Sequence, residues 1–175
     1  MDVTPNDPCA ERTLVLLKPD AVVRGISGRV LSRFEDAGYK IIGVKMRAMD
    51  AELVRRHYFD LEERRGQDVY LRSAAFMQRA PVIAVALEGH DVIATVRKLV
   101  GATCPNEAVP GSIRGDWGHH SRQASEATGT GIANVVHASS NAADAAHELD
   151  VWFTKEELHQ YRTLVERFSD GPGDE

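Results

Sequence analysis

Two short apolar runs constrain the fold of this 175-residue chain more than any other feature. Residues 13–17 read TLVLL, and residues 82–87 read VIAVAL. Each run is long enough for a buried β-strand. The residue before a proline disfavours the helical conformation, so the first strand is predicted to end near Lys18. Neither run approaches the roughly 20 apolar residues that cross a bilayer, so no membrane span is expected.

Helical and strand patterns alternate along the rest of the chain. Apolar residues recur at spacings of three and four over residues 22–37, which predicts a helix that Gly38 ends. The capping box TKEE at residues 154–157 predicts a last helix that runs to about residue 168. Further strands are predicted at 39–49 and 132–136, helices at 50–61, 69–77, 91–99 and 141–149 with Asp50 and Asp91 as caps, and a long ordered loop at 101–118.

This element order predicts an α+β fold. Strand, helix, strand, helices, strand, helix, strand and helix form split βαβ units, which is the ferredoxin-like arrangement: a four-stranded antiparallel sheet covered by helices. One domain is predicted over residues 11–168. The segments 1–10 and 169–175 contain prolines, glycine and short polar residues and are predicted to be flexible tails.

Charge and cysteine content narrow the functional classes. The net charge is −5, whereas proteins that coat nucleic acid are usually basic, so no specific nucleic-acid partner is expected. Two cysteines make no disulfide framework, and the N-terminus lacks the pattern of a secretory signal. We therefore expect a cytoplasmic protein.

Several familiar catalytic motifs are missing from the sequence. It contains no GxxxxGK[ST] phosphate loop, no HExxH metal motif and no HRD or DFG of protein kinases. Gly129 and Gly131 lack the third glycine of a dinucleotide fingerprint and precede a predicted strand instead of a helix.

Three cations lie at turns and element ends, where a polyphosphate needs them. Lys18 follows the first strand, Arg97 lies off the apolar face of its helix, and Arg114 lies in the loop PGSIRGD. Cations on several sides neutralise a polyphosphate. Each residue, taken singly, also fits a solvated surface.

His137 is the strongest candidate for a nucleophile. It follows the apolar stretch IANVV, and Ser139 shares its face if the chain stays extended. An imidazole nucleophile needs an acceptor on its other nitrogen, and Glu148 in the next helix is placed to supply it. The alternative is a packed, hydrogen-bonded histidine without catalytic role.

The chain resembles nucleoside diphosphate kinases in seven segments that occur in the same order as in that family. They are ERTLVLLKPDAV, GRVLSRFEDAGYKIIGVKM, HYFDL, APVIAVALEG, GATCPNEAVPGSIRGDW, NVVHASS and ELDVWFTKEELHQY. The resemblance extends from about Glu11 to Tyr161. It implies a ping-pong reaction in which the terminal phosphate of ATP or another nucleoside triphosphate passes to the active histidine and then to a nucleoside diphosphate.

The resemblance also assigns roles to residues. His137 is the phosphorylated nucleophile, Glu148 orients its ring, and Ser139 lies beside that glutamate. Lys18 binds the transferred phosphoryl group and the sugar 3′-hydroxyl, with Tyr58 nearby. The remaining implied nucleotide contacts are Arg97, Thr103 and Arg114 on the outer phosphates, Asn134 on the sugar hydroxyls and Val69 at the position that stacks on the base.

Cofactor and assembly follow from the same resemblance. Mg²⁺ is expected on the phosphates of the nucleotide, with no protein cage of its own, as suits an ion that dehydrates reluctantly. A homo-oligomer, either a hexamer or a tetramer, is expected. Because one site serves several bases, little discrimination among bases is expected.

The sequence departs from the family pattern at three places. The motif is HASS where the family has HGSD, so Ala138 replaces a glycine and Ser140 an aspartate near the magnesium. The stretch after HYFDL is longer than usual and lacks the stacking phenylalanine, leaving Val69 and its neighbour Tyr70. The loop at 117–133 is also longer.

Two other functions remain open at this stage. The departures suit a catalytically weak nucleotide-binding or regulatory module on the same fold. A metal-dependent hydrolase built on Asp116, His119 and His120 predicts net phosphate release, whereas a kinase predicts exchange alone.

Overall fold

The computed structural model describes residues 9–166 and contains one four-stranded antiparallel sheet. Its strands are β1 (Ala10–Leu17), β2 (Lys40–Arg47), β3 (Val82–His90) and β4 (Val136–Ala138). Their order across the sheet is β2-β3-β1-β4, and every neighbouring pair is antiparallel. The predicted four-stranded antiparallel sheet covered by helices is confirmed.

The helices connect these strands and cover both faces of the sheet. In the described part they are α1 (Pro19–Val23), α2 (Ser27–Glu35), α3 (Ala51–His57), α4 (Leu61–Arg65), α5 (Gln67–Met77), α6 (Val92–Val100), α7 (Ile113–Trp117), α8 (Arg122–Thr128) and α9 (Ala142–Trp152). Single 3₁₀ turns lie at Pro105–Glu107 and Lys155–Glu157. Within residues 9–166, each helix is too short or too polar to cross a membrane.

The central strand β1 is buried on both sides because its apolar residues are continuous. Val15 and Leu17 pack with α2 and α6 on one face. Leu14 and Leu16 pack with α3, α5 and α9 on the other. The second face carries the candidate site, because His137 of β4 lies opposite Leu16.

Two predicted elements near the site differ from the structure. The helix predicted over 22–37 is two helices, because Gly25 between them adopts φ 66°. The strand predicted at 132–136 is wrong: β4 covers Val136–Ala138, and the residues before it form a turn.

Elements remote from the site also differ. Asp91 adopts φ 48°, and its side chain makes no capping hydrogen bond to α6. The predicted last helix is wrong over residues 158–165, although Glu166 is helical. The capping box forms only the 3₁₀ turn, after which the chain bonds to β2 through His159 and Tyr161. Residues 167–168 of that helix, and the predicted tails apart from residues 9–10, lie outside the described residues; Ala10 already belongs to β1.

Candidate active site

Strand register brings His137 and Lys18 together. His137 is the middle residue of β4 and pairs with Leu16 of β1. Cross-strand partners share a face of the sheet, and so do residues two apart on one strand. The Lys18 amide continues the pairing by donating to the Val135 carbonyl at 2.8 Å. Two residues far apart in sequence therefore face the same side of the sheet.

A strained turn precedes β4. Val135 has φ 69°, and the Val136 amide donates to the Asn134 carbonyl at 2.7 Å, which makes a γ-turn. A β-branched residue in this region costs about 1–3 kcal/mol. The Asp20 carboxylate compensates by accepting the Val135 amide at 2.9 Å, and the Asn134 side chain donates to the Thr103 carbonyl at 2.8 Å. These bonds explain why a strand does not form at 132–136.

Helix α9 places a carboxylate behind His137. The Asn141 side chain caps this helix by accepting from the Asp144 amide at 2.9 Å. Glu148 lies on the buried face of α9 together with Leu149. Both carboxylate oxygens of Glu148 lie 2.9 Å from Nε2 of His137, and the Ser139 hydroxyl donates to one of them at 2.7 Å.

The protonation of this triad follows from its contacts. Burial alone raises the pKa of Glu148, but the neighbouring His137 and the Ser139 hydroxyl together lower it below its ordinary value. Glu148 is therefore an ionised acceptor. The hydrogen bond to Glu148 requires a proton on Nε2 of His137. In the neutral ring the lone pair is then on Nδ1, which has no hydrogen-bond partner among residues 9–166.

Lys18 is a buried cation without an ion pair in the described chain. It is 8% exposed, and its ammonium donates to the Ile132 carbonyl at 2.8 Å and the Asn134 side-chain oxygen at 2.6 Å. Burial lowers the pKa of Lys18 to about 8, with Asp20 opposing this change and Arg114 adding to it. The charge of Lys18 is thus present at neutral pH and is not neutralised by a contacting carboxylate.

Arg114 is held by backbone carbonyls. Helix α7 begins at a Ser112 cap, whose hydroxyl accepts from the Gly115 amide at 3.2 Å. A side chain at Gly115 would collide with the Val109 carbonyl, which accounts for the second glycine in PGSIRGD. The guanidinium donates to the carbonyls of Gly101 at 3.0 Å and Val136 at 2.8 Å. Burial and then Arg97 lower the pKa of Arg114 to about 10, so it stays charged at neutral pH.

A cavity of about 390 Å³ joins these groups. The sequence-predicted site residues that line it are Lys18, Tyr58, Val69, Arg97, Thr103, Arg114, Asn134, His137 and Glu148. Ser139 is the exception, since it is fully buried and reaches the site through Glu148. Burial, aided by the charge of Glu148, raises the pKa of the Tyr58 phenol, which therefore remains a hydrogen-bond donor.

Sequence reasoning missed part of this cavity. Asp20 accepts the Val135 amide of the turn, and the His57 ring packs against the His137 ring. Their motifs, KPD and HYFDL, were the available signals. Helices α4, α5 and α8 add further arginines to the cavity wall, namely Arg64, Arg65, Arg72 and Arg122. The long 117–133 segment thus forms one side of the cavity through α8.

The HASS departure has limited structural consequences. Ala138 lies in β4 and is not among the residues with positive φ, so no glycine is required there. Ser140 lines the cavity. Of the two replacements, the serine is therefore the one placed to alter chemistry.

His57, His137 and Glu148 also form a compact group, with one potential ligand atom of each within 4.8 Å of the others. Such a set resembles zinc ligands. However, the Trp152 indole donates to Nδ1 of His57 at 3.4 Å, so the proton of the neutral ring lies on Nε2 and no lone pair remains for a metal. The geometry favours a hydrogen-bonded group over a metal centre.

A histidine in a cation-lined cavity on a ferredoxin-like sheet fits one class of protein, the nucleotide-dependent phosphotransferases. Comparisons with known proteins agree. The nucleoside diphosphate kinase family model matches residues 11–158. A nucleoside diphosphate kinase of Pyrococcus furiosus is 43% identical over 158 residues, which cover 90% of this chain and 92% of the relative.

Solved structures show the same likeness. A transition-state mimic of the nucleoside diphosphate kinase from Borrelia burgdorferi, with bound vanadate and ADP, has a TM-score of 0.90 and 40% identity, covering 93% of this chain and 98% of that one. An NDP kinase from Pyrobaculum aerophilum has a TM-score of 0.79 and 31% identity, covering 86% and 100%. The chain belongs to the nucleoside diphosphate kinase family and is a phosphotransferase.

Proposed function

We propose that the enzyme exchanges the terminal phosphate between nucleoside tri- and diphosphates through a phosphohistidine at His137. The observation that carries this proposal is the pair of 2.9 Å contacts between Nε2 of His137 and Glu148, which leaves Nδ1 as the available nucleophile. In the first half-reaction, Nδ1 forms a bond to the γ-phosphorus. The bond from that phosphorus to the β–γ bridging oxygen breaks, and the nucleoside diphosphate leaves with the electron pair.

The second half-reaction reverses these bonds. A terminal phosphate oxygen of the acceptor diphosphate attacks the phosphorus, and the N–P bond breaks. Its electron pair returns to Nδ1, while Nε2–H stays on the Glu148 carboxylate throughout. One imidazole thus serves both directions without net proton transfer, which suits a reaction between chemically similar substrates.

Stabilisation of the negative charge on the phosphoryl group accounts for much of the rate acceleration. Phosphoryl transfer depends mainly on positioning and on fixed positive charge around the phosphoryl oxygens. We assign Lys18 and Tyr58 to the transferred group, Arg97, Thr103 and Arg114 to the outer phosphates, and Asn134 to the sugar. Ser139 supports Glu148, and Val69 forms part of the base slot.

We infer that Mg²⁺ accompanies the nucleotide. The cavity lining offers the Ser140 hydroxyl and the Asp144 carboxylate, and oxygen ligands are those that Mg²⁺ prefers. When bound, the ion neutralises phosphate charge and orients the chain of phosphates.

We also infer a cytoplasmic homo-oligomer, either a hexamer or a tetramer. A chain with two cysteines makes no disulfide framework, which suits the reducing cytoplasm. Val44 and Met46 on the edge strand β2 are 56% and 59% exposed, and covering them would favour association. Light scattering coupled to size-exclusion chromatography measures the subunit number directly.

The catalytic proposal is tested by incubating the enzyme with ATP labelled at the γ-phosphate. We expect acid-labile, base-stable label that chases onto GDP. The His137→Asn variant should lose the label, whereas His159→Asn, an exposed histidine outside the cavity, should keep it. Equal labelling of His137→Asn would refute the assignment. Binding of ADP without exchange would instead indicate a nucleotide-binding module, and net phosphate release would indicate a hydrolase.

A further inference from the structure

His57 contacts the proposed nucleophile from inside the protein. It is the last residue of α3 and is 3% exposed. Its ring centroid lies 4.8 Å from that of His137, with the two planes at 83°, and 4.6 Å from that of Tyr58. His57 therefore packs directly on the His137 ring, although none of the roles assigned above uses it.

The tautomer of His57 is fixed by its surroundings. An indole nitrogen only donates, so the 3.4 Å bond from Trp152 requires a lone pair on Nδ1 of His57. Burial, and next the neighbouring His137, lower the pKa of His57 to about 3. The ring is therefore neutral in the working range of pH, with its proton on Nε2.

That Nε2–H is buried and has no hydrogen-bond partner among the described residues. A buried donor of this kind calls for an explanation. A metal ligand is excluded because the nitrogen carries the proton. The contacts that join His57 to the site are those of its ring with His137 and Tyr58.

The His137 imidazole needs such a support. Its hydrogen bonds to Glu148 both meet one nitrogen, Nε2, so they leave rotation about that contact unopposed. A perpendicular ring packed against it blocks this rotation. Side chains that orient a reactive group in this way commonly affect activity by 10–100-fold in metal sites, where the effect has been measured.

We propose that His57 is a positioning residue for phosphoryl transfer: held by Trp152 and packed edge-on against His137, it keeps Nδ1 of His137 directed into the cavity while Nε2 stays on Glu148. This inference rests on the proposed role of His137. It predicts that the nitrogens of His57 matter for the rate of phosphorylation and not for nucleotide binding.

The kinetic test uses single-turnover phosphorylation of the full-length enzyme by ATP, together with the Kd for ADP. His57→Phe keeps a planar ring but loses the bond to Trp152. We expect its phosphorylation rate to fall about tenfold with a Kd for ADP within about twofold of the wild type. Trp152→Phe should act in the same direction, and the double variant should be no slower than His57→Phe alone, because both changes break one contact.

A matched control and two contradicting results complete this test. His159→Phe replaces an exposed histidine outside the cavity and should leave both quantities unchanged. A folded His57→Phe enzyme that is phosphorylated at the wild-type rate would overturn the inference. So would a double variant whose rate losses multiply, since His57 and Trp152 would then act independently.

Nitrogen-15 NMR of the histidine side chains tests the same inference in the wild-type enzyme, so that it does not depend on the variants folding. We expect His57 as the Nε2–H tautomer, without titration between pH 5 and 9. A proton on Nδ1, or titration near pH 6.5, would overturn the inference. If wild-type His137 takes no label from ATP, the proposed function itself fails; if it does and His57→Phe matches it, the positioning role alone fails.

Discussion

Lys18 and Lys40 occupy two regions of one sheet and are almost equally buried, at 8% and 7% exposure. Lys40 begins β2 and lies 2.6 Å from the carboxylates of both Glu88 and Glu166. Lys18 follows β1, and its ammonium donates to two neutral oxygens, those of Ile132 and Asn134, and lies 4.6 Å from the centre of the Phe76 ring. The two lysines therefore have similar solvent exposure but different partners.

Their pKa values move in opposite directions. For Lys40, burial lowers the pKa, but the contacts with Glu166 and Glu88 outweigh burial and raise it. For Lys18, burial dominates and lowers the pKa to about 8. A buried lysine that stabilises the fold is neutralised within the protein, whereas one that binds an anion is left for the ligand to neutralise. The comparison thus supports the proposed division between a structural cation, Lys40, and a phosphate-binding cation, Lys18.

The largest expected effect comes from Lys18→Met. This substitution removes a fixed positive charge beside the transferred phosphoryl group. It should lower kcat/KM by about 10²–10³-fold, the loss typical of one electrostatic donor. Stability should not fall, because an unpaired buried charge is replaced by an apolar chain of similar length. Phosphate exchange between ATP and GDP, with thermal unfolding in parallel, measures both. Unchanged kcat/KM would remove Lys18 from the site.

Lys40→Met should show the reverse pattern. It removes one of the cations paired with the buried Glu88, which keeps its pair with Arg12 at 2.7 Å, and it breaks a second pair with Glu166. We expect a loss of about 3 kcal/mol in the free energy of unfolding. The kcat/KM of the folded enzyme should match the wild type. A stable Lys40→Met enzyme with impaired exchange would contradict the division between the two lysines.

The same contrast predicts a pH dependence. Lys18 is charged below its pKa of about 8 and neutral above it. The kcat/KM of the wild type should therefore fall as pH rises through about 8. Lys18→Arg keeps its charge in this range, so its profile should lack that alkaline limb, and Lys40→Arg should keep it. If kcat/KM of the wild type and of Lys18→Arg fell over the same alkaline pH range, the ionisation would belong to another group.

A smaller effect is expected at Ser140. Ser140→Asp adds a carboxylate to the cavity lining and so an oxygen that Mg²⁺ prefers. The Mg²⁺ concentration for half-maximal exchange should fall a few-fold, with the melting temperature nearly unchanged. An Ala142→Asp variant, exposed at the start of α9, controls for added negative charge. An equal shift in both variants would show that the effect is not local to the cavity.

Local sequence patterns predicted the parts of the fold that depend on local physics. The apolar runs in β1 and β3 and the Asn141 cap of α9 needed no distant partner to be recognised. The turn at Val135 was missed because its stability comes from Asp20 and Lys18, which are remote in sequence. The last predicted helix failed for the same reason, since bonds to β2 compete with helix formation after residue 157.

The candidate site likewise divides into residues that local motifs predicted and residues whose contacts depend on the tertiary fold. His137, Glu148 and the candidate phosphate-binding cations were named from motifs, and the structure gathers them around one cavity. The role of His57 was not predicted, because its contact with His137 joins α3 to β4, two elements about 80 residues apart in sequence. The contribution of α8 to the cavity was missed because a short helix inside a loop leaves little periodic pattern.

The most direct test of the catalytic account is to identify the nitrogen that carries the phosphate. Enzyme labelled with nitrogen-15 in its histidines is phosphorylated with ATP, and phosphorus–nitrogen couplings are recorded by NMR before the phosphoenzyme decays. The account predicts one phosphohistidine, at His137, with phosphorus bonded to Nδ1 and the proton still on Nε2. Phosphorus on Nε2, or on any other residue, would contradict it.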